Sequence, residues 1–271
     1  MVDIDKIVEY ISKKVPDTKG SIGVIIGPCF SDFLDEIENK VELYFRDIPD
    51  MKILGSDREE NKLIFGTING RKIIVSLGRL HYYLGYDQQD VAVPVFLLKE
   101  LGCEKLIISS SVGAINHKLK VGDIVTFTDH INFTGRNPLY GLTFNKYGHK
   151  FIDMIDAYDQ EMIDMLVYTA KNEMAIKVKK GIAIEFPGPS AETVSETKLA
   201  LSMGGDIIGF NICSEIIAAK YCGLPVCTYA LITNHASAFT NSKIKHEDIV
   251  YNRKCASTYY LELLSKFIKN V

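Results

Sequence analysis

Short, continuous apolar runs rich in β-branched residues recur along the whole sequence and constrain the fold more than any other feature. Apolar and polar residues do not alternate within these runs, so they are typical of strands that are buried on both faces. The predicted strands are Gly23–Ile26, Ile73–Val75, Leu106–Ile108, Ile124–Phe127, Val178–Ile184, Ile207–Ile208 and Val226–Ile232.

Segments with helical periodicity lie between several of these runs. Apolar residues repeat with helical spacing from Ile4 to Ile11, from Ile163 to Ala170 and from Ala256 to Phe267, which predicts amphipathic helices. Thr193 and Glu196 have the spacing of a capping box and predict the start of another helix.

The arrangement of these elements indicates the fold class. Asn69-Gly70 is typical of a two-residue hairpin loop, so part of the sheet should be antiparallel. The chain contains no Pro- or Ser-rich linker, low-complexity tract or internal repeat. We therefore predict an α/β fold of one domain, residues 1–271, with a mixed, mostly parallel central β-sheet flanked by helices.

Composition excludes several classes of partner. The formal net charge is -3 over 271 residues, so no overall positive field attracts nucleic acid. No apolar run approaches the roughly 20 residues that span a bilayer, and the N-terminal segment lacks the apolar core of a signal peptide. We expect a cytoplasmic protein with no membrane partner.

The six cysteines have no zinc-type spacing, and Gly27-Pro28-Cys29 is not a dinucleotide fingerprint, so we expect no metal and no cofactor.

Six glycine-rich or polar segments follow the apolar runs and form the candidate site. Ligands of open α/β sheets bind beyond the carboxyl ends of the strands, where these segments lie. The segments are residues 27–33, 78–86, 109–116, 187–193, 209–215 and 233–239.

Arg79 and His81 are the first candidate pair. They occupy alternate positions after a predicted strand, so both can point the same way, and a guanidinium fork beside an imidazole suits a phosphate. A surface arginine and a loop histidine would give the same weak pattern. The small residues after Ser111 could expose backbone N–H groups to an anion or form an ordinary turn.

Glu192 and Asn234 are the second candidate pair. A carboxylate accepts the N1–H of a 6-oxopurine, and an amide serves its O6 and N7. Taken singly, Glu192 is better explained as a carboxylate in the first turn of a helix, and Asn234 as a turn residue after a strand. The presence of six such segments in one chain favours the interpretation that these residues form a binding site.

Together these segments resemble the trimeric, low-molecular-weight purine nucleoside phosphorylase family, within the nucleoside phosphorylase superfamily. The similarity extends from about Ile22 to the last helix, and DHIN…TGRNPL is its most specific part. It is densest in GRLHYYLGY (78–86), VGDIVTFTDHINFTGRNPLYG (121–141), DAYD (156–159), PGPSAET (187–193) and LITN (231–234).

The resemblance implies phosphorolysis: a purine nucleoside and inorganic phosphate, the co-substrate, give the free base and a pentose 1-phosphate. The transition state is oxocarbenium-like, as in glycoside hydrolysis. The implied catalytic residues are Asn234, which stabilises the proton that develops at N7, with His81 and Glu192.

The resemblance also implies which residues bind the substrates. Phosphate would be bound by Arg79, His81, the backbone N–H of Ser111 and Asn211, which takes the place of a serine. Sugar and base would be bound by Tyr83, Phe210, His246, Glu192 and Asn234. Phe151 matches an aromatic residue that covers the ribose of a neighbouring subunit, which implies a homotrimer.

Besides Asn211, three positions depart from the family pattern. Pro28 stands where the family has a serine that donates to phosphate, and Glu59 stands where it has a loop histidine. Ala191 replaces an aromatic wall of the base pocket. A hydrogen bond to a charged group contributes about 1.5–3 kcal/mol, so we expect phosphate to be the weakly bound partner.

We therefore expect a purine nucleoside phosphorylase that acts on 6-oxopurine ribonucleosides or deoxyribonucleosides. Asn234 is the discriminating residue, because a carboxylate in its place would pair with a 6-amino group. The alternatives are a phosphorylase of altered substrate range, which Ala191 favours, and a catalytically weak purine-binding paralogue, which Pro28 and Glu59 favour.

Overall fold

The computed structural model of the protein describes residues 2–54, 61–142, 146–236 and 246–271. For residues 28, 29, 31 and 246 it describes the backbone alone. Glu59 therefore lies outside the described residues, as do the side chains of Pro28 and His246.

Nine strands form the sheet of the described part of the chain. They are β1 (Ser21–Ile26), β2 (Glu38–Tyr44), β3 (Lys62–Ile68), β4 (Arg71–Leu77), β5 (Cys103–Ala114), β6 (Ile124–Asn132), β7 (Lys179–Glu185), β8 (Ile207–Gly209) and β9 (Val226–His235). Each predicted run overlaps one of these strands. The sequence patterns missed β2, because its side chains are exposed or half-buried and it has no apolar run.

The described α-helices lie before, between and after the strands. They are α1 (Ile4–Lys14), α2 (Val93–Glu100), α3 (Gln160–Met174), α4 (Val194–Ser202), α5 (Ile212–Tyr221) and α6 (His246–Asn270). Within the described ranges, none of these helices combines the length and the apolar character that a bilayer span requires.

The sheet has the strand order β2-β3-β4-β1-β5-β8-β7-β6-β9, and β9 also pairs with β5. The second half of the sheet therefore closes on itself. Parallel pairing joins β1 to β4 and β5, β9 to β5, and β7 to β6 and β8. The other pairs, including the β3–β4 hairpin, are antiparallel. The prediction of a mixed α/β sheet is confirmed.

The β3–β4 loop consists of Asn69 and Gly70, with φ angles of 50° and 77°. Two successive left-handed residues give a tight loop whose twist matches that of the two strands. The predicted hairpin is confirmed at the predicted residues.

The core is apolar and includes residues from both ends of the chain. α1 buries Ile4, Ile7 and Ile11, and α6 buries an apolar face that includes Tyr260 and Phe267. These residues belong to one cluster with the strands of the sheet. Both terminal helices therefore cover the sheet with the faces that the sequence predicted.

The predicted capping box begins α4. The Thr193 hydroxyl accepts the backbone N–H of Glu196 at 3.2 Å, and the Glu196 carboxylate accepts the N–H of Thr193 at 2.7 Å. The cap fixes the direction of the chain directly after Glu192.

We expect Thr193→Ala to lower the free energy of unfolding by about 1 kcal/mol, because the mutation leaves a first-turn N–H without its side-chain acceptor. Ser195→Ala, at an exposed residue of the same turn, should change it by less than about 0.5 kcal/mol. Urea unfolding followed by circular dichroism measures both values. Equal effects of the two mutations would contradict a stabilising role for the cap.

Candidate active site

The segments that follow β4, β5, β7, β8 and β9 lie against one another. Residues of the 78–86 segment contact residues of the 209–215 segment, and Gly188 and Gly113 lie close to side chains from neighbouring segments. Gly78 donates its backbone N–H to the carbonyl of Ile26 at 2.9 Å, which brings the segment after β1 to the same place. The expectation of a site at the strand ends is consistent with this geometry.

Arg79 is buried at the centre of these segments. Its Nε donates to Oε1 of Glu215 at 2.8 Å, and its terminal nitrogen donates to the backbone carbonyl of Ser109 at 2.9 Å. The side chains of Arg79 and Glu215 are only 6% and 3% exposed. The guanidinium group is therefore held rigidly, with N–H groups left over for an anion.

His81 lies beside Arg79 and is kept neutral at physiological pH. Burial, followed by the positive charge of Arg79, lowers the pKa of His81 from 6.5 to about 4. Its ring stacks on that of Tyr83, with centroids 4.5 Å apart. A neutral imidazole can donate a hydrogen bond to an anion without adding charge to the buried site.

Phe210 and Tyr83 form an aromatic corner. Their ring centroids are 6.3 Å apart in an edge-to-face arrangement. A Cβ atom on Gly188 would lie 3.1 Å from the ring of Phe210 and 3.5 Å from that of Tyr83. The backbone of the 187–193 segment therefore packs directly on both rings, which only glycine permits.

Asn211 follows Phe210 and has a left-handed backbone, with φ 68°. Its side-chain Nδ2 donates to the carbonyl of Leu80 at 2.6 Å, which ties the turn to the segment that carries Arg79 and His81. One N–H of this amide remains for another acceptor.

Asn234 lies near the end of β9, opposite Gly113 of β5. A Cβ atom on Gly113 would lie 3.1 Å from Nδ2 of Asn234, so the missing side chain leaves room for the amide. The Thr233 hydroxyl donates to Oδ1 of Asn234 at 3.1 Å. This contact orients the amide oxygen at the end of the strand.

Glu192 lies just before α4, and its side-chain oxygen Oε1 is buried. Burial raises the pKa of Glu192 above its ordinary value. A carboxylate in this position lacks the water that would normally solvate it, so a ligand N–H donor would be bound strongly.

Several buried polar atoms of these segments have no hydrogen-bond partner in the described part of the chain. Such atoms are uncommon in folded proteins, and several of them in segments that meet at the strand ends are groups that a bound ligand could satisfy. The atoms in these segments are His81 Nδ1, Glu192 Oε1, Asn211 Oδ1 and Glu215 Oε2.

Three further predicted residues contribute none of these atoms. Phe151 is fully exposed and reaches none of the strand-end segments within its own chain. His246 is the first residue of α6, but its side chain lies outside the described residues. Ser111 is part of β5 opposite Leu231 of β9, so its backbone belongs to the strand that leads into the site.

Sequence patterns missed two buried carboxylates at the site. Glu215 pairs with Arg79, and Glu185 ends β7 and accepts backbone N–H groups from Asn211 and Cys213. In the sequence, Glu185 looks like an ordinary polar residue at the end of a predicted strand, and Glu215 looks like an ordinary carboxylate in the first turn of a helix. Their burial depends on the packing of α5, which no local pattern reveals.

A cavity of about 860 Å³ lies elsewhere, beside the start of α1. Its wall includes Asp3, Asp50, Lys52 and Asp87, and it contains none of the unpartnered atoms described above. Within the described ranges, no group of three or more His, Cys, Asp or Glu residues could hold a metal ion. The strand-end segments therefore remain the candidate active site.

Comparison with known proteins gives a consistent family. The family described as "Phosphorylase superfamily" matches residues 24–269. Purine nucleoside phosphorylase 1 of Bacillus subtilis is 32% identical over 98% of this chain and 97% of its own. Two structures of Schistosoma mansoni purine nucleoside phosphorylase, with inosine and with adenosine, are each 30% identical over 99% of this chain and 96% of theirs. Their TM-scores are 0.92 and 0.91, respectively.

We expect His81 to remain neutral down to about pH 4, because its pKa is lowered from 6.5 to about 4. Between these values the unfolded chain binds more protons than the folded one, so the contribution of His81 to stability is lost as the pH falls. Unfolding in urea at a series of pH values should show a smaller decline between pH 6.5 and 4 for His81→Gln than for the wild type.

The imidazole resonances of the wild type, assigned by their absence from His81→Gln, give an independent measurement. A His81 resonance that titrates near pH 6.5 would show that the ring is not shielded from water.

Proposed function

The chain belongs to the phosphorylase superfamily as a purine nucleoside phosphorylase, a pentosyltransferase, and we propose that it cleaves 6-oxopurine ribonucleosides and deoxyribonucleosides at the strand-end site. The nucleophile is inorganic phosphate, and the products are the free base and a pentose 1-phosphate. The sequence-based prediction of the enzyme class is confirmed by the family.

The observation that carries the proposal is the group of unpartnered buried atoms beside Arg79. A buried guanidinium group, a neutral imidazole and carboxylate oxygens without partners have a high desolvation cost. A ligand with an anionic part and a polar heterocyclic part would offset that cost. A nucleoside together with phosphate has both parts.

Arg79 and His81 hold the phosphate in this proposal. The Glu215 carboxylate and the Ser109 carbonyl occupy two donors of Arg79, so the guanidinium plane is oriented before phosphate binds. His81, with its pKa of about 4, donates as a neutral group, and the Ser111 N–H and the Asn211 amide supply further donors. Preorganised donors of this kind lose little entropy on binding.

Glu192 and Asn234 hold the base. The Glu192 carboxylate accepts N1–H of the purine, and the Asn234 amide contacts O6 and N7. Tyr83 and Phe210 pack on the sugar, together with His246 at the 5′-hydroxyl, as the resemblance implies.

Cleavage then proceeds by exchange of one bond for another. The C1′–N9 bond breaks as an oxygen of phosphate bonds to C1′, and the sugar passes through an oxocarbenium-like state. The electron pair of the broken bond moves into the purine ring, which gains a proton at N7, while hydrogen phosphate loses one as it becomes the phosphate monoester. The Asn234 oxygen accepts the N7–H. Binding that is stronger in this state than in the ground state produces the acceleration.

We also propose that the active enzyme is a cytoplasmic homotrimer. Phe151 is fully exposed, so its ring is available to pack against a neighbouring subunit. In the trimer, Phe151 would cover the ribose site of the neighbouring subunit.

The test of the function is phosphate-dependent release of hypoxanthine from inosine. Assays without phosphate and with arsenate in its place control for hydrolysis. Arg79→Ala should abolish turnover, whereas Arg71→Ala, at an exposed residue of β4, should retain it. A wild-type protein that binds hypoxanthine but releases none from inosine would instead be a purine-binding paralogue.

We expect kcat/KM for inosine and guanosine to exceed that for adenosine by on the order of 10⁴-fold, because adenosine leaves buried polar groups unpaired. The Schistosoma mansoni enzyme has been crystallised with both inosine and adenosine, so turnover rather than binding must be compared. Asn234→Asp should reduce the ratio of kcat/KM for inosine to that for adenosine. Asn172→Asp, at an exposed residue of α3, should leave this ratio unchanged. Equal turnover of adenosine by the wild type would refute the proposed base recognition.

We expect light scattering to give a mass of about three chains of 30.4 kDa each. Phe151→Ala should raise the nucleoside KM about tenfold, because an aromatic contact at an interface is lost, while the circular dichroism spectrum stays unchanged. Tyr168→Ala, at an exposed aromatic residue of α3, is the matched control. A monomer with full activity would contradict the shared site.

A further inference from the structure

Glu185 is a buried carboxylate that joins three parts of the site, and it is only 1% exposed. Its Oε1 accepts the backbone N–H of Asn211 at 2.8 Å, and its Oε2 accepts that of Cys213 at 2.6 Å. Its own backbone carbonyl accepts the N–H of Phe133 at 3.0 Å. One residue therefore connects the end of β7 to the start of α5 and to the segment after β6.

The turn that Glu185 holds has an unfavourable backbone conformation. Asn211 precedes α5 in the N-cap position, has φ 68° and makes no side-chain cap bond: its Nδ2 donates to the Leu80 carbonyl, and its Oδ1 accepts no N–H of the first turn. The first N–H groups of a helix need acceptors from outside the helix. Glu185 supplies two acceptor oxygens from another strand, where the helix dipole also favours a negative charge.

The same turn carries two of the proposed substrate-binding residues. Phe210 meets the edge of Tyr83, and Asn211 lies against the backbone between Arg79 and His81. A displacement of the turn by even a fraction of an ångström would move both side chains away from sugar and phosphate. The bond from Asn211 to Leu80 holds the side chain of this residue, whereas the bond to Glu185 holds its backbone.

We propose that Glu185 is a positioning residue: its carboxylate fixes the Phe210–Asn211 turn and thereby sets the affinity for the nucleoside, without contacting the substrate. This inference rests on the proposed function, because it assumes that the turn borders the sugar. The carboxylate must be ionised to accept both N–H groups fully, since protonation places a donor on one of its oxygens.

The ionisation of Glu185 falls within the range of an ordinary assay. Burial raises the pKa of Glu185 to about 7, against the opposing bonds from Cys213 and Asn211. The titratable groups that face it, directly or through Cys213, are Glu215 and Cys213 on α5, Tyr82 after β4, Tyr158 before α3 and Asp129 on β6. Arg79 is bonded to one of them, Glu215.

Glu185→Gln tests the proposal with little change in volume. The glutamine amide keeps one acceptor oxygen and turns an NH₂ group toward the second backbone N–H. We expect the inosine KM to rise at least about tenfold, the loss expected for one hydrogen bond to a charged group, with kcat changed by less than about twofold. The wild-type inosine KM should rise as the pH falls through about 7, and this dependence should disappear in Glu185→Gln.

Asp159→Asn is the matched control. Asp159 also accepts a first-turn helix N–H through a carboxylate oxygen, that of Met162 at 2.8 Å, but its own N–H donates to Val226 at the start of β9, the end away from the site. Its replacement should leave the inosine KM and its pH dependence unchanged. Hydrogen exchange of the 210–213 amides should accelerate in Glu185→Gln and not in Asp159→Asn.

Two outcomes would overturn the inference. One is a Glu185→Gln protein with the wild-type inosine KM and pH dependence. The other is a protein that only melts at a lower temperature and keeps the wild-type pH dependence, which would indicate a purely structural role. If the wild type itself releases no hypoxanthine, the proposed function fails. Calorimetric inosine Kd values of the two proteins then decide the role of Glu185, and equal values or no binding would reject it.

Discussion

The site depends on β5, because this single strand belongs to both halves of the sheet. The first part of β5 pairs with β1, most of its length pairs with β9, and its last two residues pair with β8. The strands β5, β8, β7, β6 and β9 pair in a closed ring, which a flat sheet cannot form, so this half of the sheet curls on itself. The curl directs the chain segments after β4, β8 and β9 toward one place. Side chains as distant in sequence as Arg79 and Glu215 therefore meet.

The polar groups collected there are costly to the fold. Arg79, Glu185 and Glu215 are all removed from water, and the desolvation of an ion costs several kcal/mol even in a relaxed protein. The ion pair and the two N–H bonds to Glu185 offset part of that cost, whereas Glu215 keeps one buried oxygen without a described partner. Buried charged groups of this kind reduce the stability of the fold, and they are expected at functional sites, where a ligand binds to them.

Local patterns predicted the elements well, because buried strands and amphipathic helices have their own periodicities. The hairpin at Asn69-Gly70 and the capping box at Thr193 needed only neighbouring residues, and both are confirmed. The exposed strand β2 was missed, since its residues carry no apolar pattern and it forms by pairing with β3. Closure of β9 onto β5 was missed for a related reason, because pairing across the sheet is a non-local event.

The sequence by itself determined the fold class, the strand-end segments and, through the resemblance, the family to which the chain belongs. Each of these depends on which residues lie close together in the sequence, and such neighbours can be recognised without knowledge of the fold. Only the tertiary structure decided that Arg79 is anchored by Glu215, that His81 is neutral beside it, and that Glu185 holds the turn before α5. Burial determines all three. The environment of a charged group, unlike its position in the chain, is set by residues that reach it only after the sheet has closed.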